Sequence, residues 1–333
     1  MMLNERTAIY RLKGLAIISI VFAHVCRVEQ SFGIVNRFFG NLITSIGSFG
    51  VPIFLFVSGY LFYKSQKNTF KSFLKSRATG LFVPWLFWGT LIYFCVYIGK
   101  DMSFLAWIKY IVGIGPGVGN CTPFYYLTMI LVMYLMYFKF KKNTVFIVIT
   151  MILSFVSIMV TSVVRPVYEA FLPYINPFNW MFYFGAGLLV AKKADILKTI
   201  YTLKRYSLVS GIILLMILAW VLFRRFENIA YWKWYGLPTF FVVFVTVCGV
   251  ITYTPKKTDM LENLGKYSFA IYLVHSPFAS VAENLKNLVD SVSLTVIVPW
   301  VVLAVVLVII YIGEKIAKKL KLEKVYGLLL GFR

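Results

Sequence analysis

The chain has two histidines, His24 and His275, and each falls inside an apolar stretch long enough to be a membrane helix. Ionisable groups are costly in such segments and mark sites of chemistry, although a satisfied core histidine is the plainer reading of either one alone. Imidazole exchanges protons near neutral pH, so general acid–base catalysis is the chemistry to consider. Lys13 precedes His24 by eleven positions. Eleven helical residues at about 100° each return to within roughly 20° of the starting direction and climb about 16 Å. His275 stands equally far beyond Leu264, so the two imidazoles can share one layer. One stripe therefore carries a cation at one end and an imidazole at the other, as a site that holds an anionic donor and moves a proton requires.

The elements that position these groups follow from composition. Of 333 residues, 60% are hydrophobic and only 14% charged, far from the roughly 45–50% apolar content of soluble domains. A soluble globular enzyme is excluded. The charge is lopsided, with 34 Lys and Arg against 12 Asp and Glu, a net +22. In a soluble protein that excess would suggest nucleic acid; between apolar runs it reads as cytoplasmic loops under the positive-inside rule, with no nucleic-acid partner. A spanning helix needs about 20 largely apolar residues. Stretches at 9–26, 42–63, 81–99, 123–140, 144–164, 177–191, 206–223, 235–253, 264–283 and 292–313 meet or approach that requirement. The expected fold is all-α: a polytopic membrane helix bundle of about ten transmembrane helices, filling 1–333 as a single domain in the cell membrane. Placing the N-terminus inside puts most of the basic residues on one side, so both termini are expected to be cytoplasmic. The start is polar and basic without a small-residue cleavage site, which argues against a cleaved signal peptide.

The longest outer connection holds an apolar piece at 104–114 followed by a Gly- and Pro-rich run. It reads either as an interfacial or re-entrant segment or as a loose loop. The four cysteines have no metal-ligand spacing, and no metal is expected; a Cys26–Cys121 disulfide is conceivable on position alone. None of the twelve acids falls clearly inside a span, which weighs against a proton- or sodium-coupled transporter. The Gly- and Pro-rich run at 47–60 implies close packing and a kink. The basic run that follows ends in Arg77, whose guanidinium could clamp phosphate bidentately.

Together these residues resemble the acyltransferase 3 family of integral membrane acyltransferases. The resemblance rests on Lys13, ten residues and then His24; on the Gly-x-x-Gly-Val-x-x-Phe-x-x-x-Ser-Gly-Tyr of 47–60; and on Arg77 leading to Pro84. Further on come Phe124-Tyr125-Tyr126-Leu127, Tyr183-Phe184-Gly185-x-Gly187, and the run from Leu264 to His275 containing Ser268. It implies a cytoplasmic acyl-CoA donor, acetyl-CoA or another, and transfer to a hydroxyl of an extracytoplasmic or lipid-linked carbohydrate. Lys13 and Arg77 would engage the donor, His24 would assist acyl transfer, and His275 and Ser268 would line the same cavity. Two positions depart from the family pattern: Ile130 stands where one branch has a Glu, and Gly80 where a second Arg is frequent. The compact length resembles the branch of surface-polysaccharide O-acetyltransferases, which implies that the bundle either completes the transfer itself or hands the group to a separate extracytoplasmic transferase. Ser58 and Ser268 are the candidate carriers in an acyl-enzyme relay. A flippase for a polysaccharide intermediate is the alternative, a scaffold the third reading, and homo-oligomerisation stays open.

Overall fold

The structure is a computed structural model that describes residues 3–29, 31–65, 69–99, 102–114, 122–164, 172–193 and 259–331, with isolated helical positions between 211 and 250. The expected spans 206–223 and 235–253 otherwise lie outside the described residues, as does Cys121. The described residues form helices without a strand. These are α1 (Leu3–Val25), α2 (Ile34–Gly47), α3 (Gly50–Lys64), α4 (Phe70–Arg77), α5 (Val83–Tyr97), α6 (Phe104–Val112) and α7 (Tyr125–Tyr137). Then come α8 (Thr144–Val164), the short α9 (Leu172–Ile175), α10 (Met181–Lys192), α11 (Met260–Lys286), α12 (Val292–Lys319) and α13 (Glu323–Leu330).

Among the described residues, five stretches are long and apolar enough to cross a membrane: Glu5–Val25, Ile34–Lys64, Phe70–Tyr97, Thr144–Ser162 and Val292–Lys319. Exposed Ile149, Ile152, Val156 and Met159 on α8, and Ile297, Val301 and Val305 on α12, give these helices the outward apolar faces expected against lipid. The helix containing 42–63 begins earlier than its hydropathy suggests, at Ile34, and breaks only at Ser48–Phe49. Pro52, four residues past Ser48, has no N–H to return to that carbonyl, which accounts for the break. The 64–77 connection, read as a basic loop, is partly helix: Thr69 caps α4 by accepting from the Ser72 N–H at 3.3 Å. α4 joins α5 through a π-helical turn, Ala78–Phe82, immediately before Pro84. The apolar piece at 104–114 is likewise a helix, capped by Ser103 and ended by Gly113 at φ +104°, so it is not a loose loop.

The core is built around α1, which packs along α11, α3 and α2. Two glycines set the α1–α11 spacing. A Cβ on Gly265 would stand 1.7 Å from the Tyr10 carbonyl oxygen, and one on Gly14 would stand 2.1 Å from that of Leu261. Backbones this close exclude any side chain, the small-residue packing familiar between membrane helices. α3 and α10 approach each other the same way through Gly59 and Gly187. The α1–α11 pair is pinned at both ends: Arg11 meets Asp259 at 2.7 Å, and buried Lys286 donates to the Arg27 carbonyl at 2.7 Å. Asp259 also caps α11 by accepting from the Glu262 N–H. Beyond α12 the chain turns back as α13. Tyr326 donates to the Ile310 carbonyl, and the Trp88 indole of α5 donates to that of Leu329.

Candidate active site

A cavity of about 590 Å³ opens at the end of the bundle that holds both the first turn of α1 and the end of α13, since Arg6 and Gly331 both line it. The two ends of the described chain therefore share one side of the bundle. Lys13 of α1 and Arg77 of α4 face this cavity together, with Ser58 of α3, Tyr126 and Tyr134 of α7, and Ser268 and Tyr272 of α11. The Arg77 guanidinium lies over the Tyr134 ring at 4.7 Å and over the Phe73 ring at 5.2 Å, which holds it in place by cation–π contact. Lys13 stands 5.8 Å from the centre of the Tyr10 ring.

The acids at this end are engaged with other groups. Glu5 takes Lys64 and the Tyr60 hydroxyl, Glu262 takes Lys266, and Glu314 takes Lys318. Among the described residues neither Lys13 nor Arg77 has an ion pair, and the Arg77 Nε has no hydrogen-bond partner. Two cations in a recess, unpaired with any carboxylate among the described residues, make a receptive site for an anion, to which guanidinium and ammonium groups would supply charge-assisted hydrogen bonds.

The inner wall is aromatic. Phe54, Tyr126 and Tyr272 pack ring against ring, with the Tyr126–Tyr272 centres 5.6 Å apart and the Phe54–Tyr126 centres 6.0 Å apart. The Ser58 Oγ lies 3.4 Å from the Tyr126 hydroxyl, and Tyr272 donates its hydroxyl to the Pro123 carbonyl. Ser268 reaches the cavity but donates its proton to the Gly265 carbonyl of its own helix at 2.9 Å. That bond leaves its oxygen lone pairs available and its hydrogen engaged.

The histidines come together one turn deeper. His24 and His275 lie with ring centres 5.3 Å apart at an interplanar angle of 50°, and Tyr272 stands 5.9 Å from His275 on the cavity side. The structure thus groups Lys13, Arg77, Ser58 and Ser268 in one cavity and pairs His24 with His275 beyond it. His275 does not line the cavity as expected, because it is fully buried behind the Tyr272 ring on the next turn of α11. Tyr10, Tyr134 and Glu314 also line the cavity, and the sequence did not single them out. Glu314 was read as lying just past the last span, but α12 continues to Lys319 and brings it to the cavity. Tyr126 was within reach, since it belongs to the aromatic run that opens α7. Cys26 is a free buried thiol directed at the Thr295 carbonyl.

Long apolar helices, a core knitted by backbone-to-backbone glycine contacts and an inward recess of cations define an α-helical membrane protein with an internal site. Residues 7–314 match the family model described as an acyltransferase domain, that of the acyltransferase 3 family. The match spans nearly all of the chain, and the chain belongs to that family: it is a membrane acyltransferase. No curated protein and no solved structure matches the chain significantly.

Proposed function

We propose that this acyltransferase is a multi-pass cell-membrane enzyme that takes an acyl group, acetyl in the simplest case, from cytoplasmic acyl-CoA. The acceptor is a hydroxyl of an extracytoplasmic or lipid-linked carbohydrate. The observation that carries the reading is the recess holding Lys13 and Arg77, cations without a described carboxylate partner, with the His24–His275 pair just beyond it behind Tyr272. CoA is polyanionic, and a basic inner mouth would steer and hold it. The positive-inside rule puts the cavity mouth and both termini in the cytoplasm. Lys13 and His24 are separated by about 16 Å of helix, so phosphates held at Lys13 and a thioester at His24 call for an extended arm between them, as pantetheine provides.

In the step itself, His24 takes the proton of the acceptor hydroxyl as its oxygen bonds to the thioester carbonyl carbon. The carbon–sulfur bond breaks, and the thiolate recovers the proton from His24. General-base help of this kind contributes about 10²–10⁴-fold. Tyr126, Tyr272 and Phe54 would keep water from the thioester. Relay through Ser58 or Ser268 is the two-step version of the same transfer, and a separate extracytoplasmic transferase would be its recipient.

The test is acyl-CoA turnover by the purified protein in lipid with a glycan acceptor, comparing wild type with His24→Ala and Lys13→Ala. Loss of turnover at His24 and a raised donor requirement at Lys13 are expected. No turnover of acetyl-CoA or succinyl-CoA, with both variants still functional in cells, would overturn the reading in favour of a flippase.

A further inference from the structure

One nitrogen of His275 has no hydrogen-bond partner among the described residues, and this assigns the two rings of the histidine pair different tasks within the acyltransferase reading above, on which this inference rests. His275 is fully buried on α11. Its Nδ1 lies 2.8 Å from the Tyr272 carbonyl oxygen. A carbonyl can only accept, so in the neutral ring Nδ1 carries the proton and Nε2 carries the lone pair. Among the described residues Nε2 has no hydrogen-bond partner. A buried acceptor left without a donor is uncommon and calls for an explanation. The ring beside it is His24, at 5.3 Å between centres. Catalytic hydrogen bonds are often long before substrate binds and tighten in the reactive complex.

We propose that His275 is the positioning residue of His24: its Nε2 accepts the N–H of the His24 imidazole, fixes the His24 tautomer and leaves the other His24 nitrogen as the base toward the acceptor hydroxyl. His275 neither gains nor loses a proton. When His24 takes the hydroxyl proton, with the oxygen–carbon bond forming and the carbon–sulfur bond breaking, its hydrogen bond to His275 becomes charge-assisted and strengthens. It relaxes once the proton has passed to the departing thiolate. The task is the one a buried carboxylate performs for the histidine of a serine hydrolase. A neutral imidazole performs it without placing a second full charge among membrane helices, where such charges are costly.

Two substitutions separate this role from a structural one, because Asn can mimic Nδ1 and Gln can mimic Nε2. His275→Asn keeps a donor to the Tyr272 carbonyl and removes the acceptor facing His24; His275→Gln does the reverse. In full-length protein in lipid, with thermal unfolding compared throughout, His275→Asn should lose about 10²–10⁴-fold in kcat. His275→Gln should keep within about tenfold of wild type, with the KM for acyl-CoA unchanged in both. The opposite order, or equal activities, overturns the assignment. A second readout does not depend on turnover. The chain has only two histidines, so histidine-selective ¹⁵N labelling of either variant reports His24 alone. One neutral His24 tautomer in wild type and His275→Gln, but a mixture in His275→Asn, is expected. A mixture already in wild type refutes the hydrogen bond. If wild type shows a single tautomer yet consumes no acyl-CoA, the acyltransferase reading fails and the hydrogen bond stands.

Discussion

Gly265→Ala places one methyl group at the closest contact between α1 and α11, and its effect follows from the distance. The added Cβ would stand 1.7 Å from the Tyr10 carbonyl oxygen, whereas ordinary contact begins at 3.4 Å. Backbone cannot rotate away as a side chain can, so the two helices must part locally by an amount of the same order as that shortfall. Gly265 lies between Tyr10 and Lys13 on one side and Ser268 on the other, all of them cavity-lining. The displacement therefore falls on the cavity and tilts the helix that carries His275. Overpacking of this kind costs about 1–3 kcal/mol, and a misplacement of about 1 Å in a reacting constellation can cost about 10²-fold. We expect Gly265→Ala to remain folded with a lowered unfolding temperature and to lose about 10²-fold or more in acyl transfer. Gly211→Ala, where a Cβ meets nothing within 4 Å among the described residues, should match wild type. Acyl-CoA turnover in lipid at several donor concentrations is the assay. Wild-type turnover by Gly265→Ala would refute the claim that the α1–α11 contact sets the geometry of the site.

Four further outcomes can be checked. Lys13→Met and Arg77→Met should each raise the KM for acyl-CoA by about tenfold or more, as loss of a charge-assisted hydrogen bond of about 1.5–3 kcal/mol implies; the wild-type KM should rise with salt and the variants' less so. Lys286→Met removes the buried bonds to the Arg27 carbonyl and Asn287, and should lower the unfolding temperature and kcat together, since those bonds pin α11 to the end of α1. Asp290 accepts from the Gly33 N–H and from Asn36, and these bonds hold its carboxyl below the usual aspartate range. The stability it adds is present above the ordinary aspartate pKa and is lost as pH falls through the lower folded value. Protection from hydrogen exchange at the start of α2, taken relative to the intrinsic rate at each pH, should fall in that acidic window in wild type and stay constant across it in Asp290→Asn. Trp88→Phe removes the indole bond to Leu329 and should cost about 1 kcal/mol, read as faster proteolysis within α13.

Much of the site was legible because it is carried by intervals along single helices. Eleven residues from Lys13 to His24 set a face and a height whatever surrounds them. Composition dictated membrane helices, since residues that are 60% hydrophobic cannot fold a soluble surface. The Gly-rich run at 47–60 announced close packing, and Gly47, Gly50 and Gly59 do meet neighbouring backbone. Helix limits were less legible: hydropathy ends where charges begin, whereas hydrogen bonding continues. The basic residues of α4 and Glu314 of α12 were thus read as lying outside helices that include them.

What only the tertiary structure decided is which helices meet. Nothing in the interval between positions 24 and 275 states that their rings lie 5.3 Å apart; that follows from Gly14 and Gly265 letting two backbones touch, and from Arg11–Asp259 and Lys286–Arg27 holding both ends. The same contact sets Tyr272 between the histidines and the cavity. The return of α13 beside the cavity mouth rests on Trp88 and Tyr326 finding carbonyls far from them in the chain. Periodicity along one helix is a local property, and the sequence determines it. Which neighbour a helix face finds depends on backbone shape and on the polar pairs that lock it, and only the folded bundle settles that.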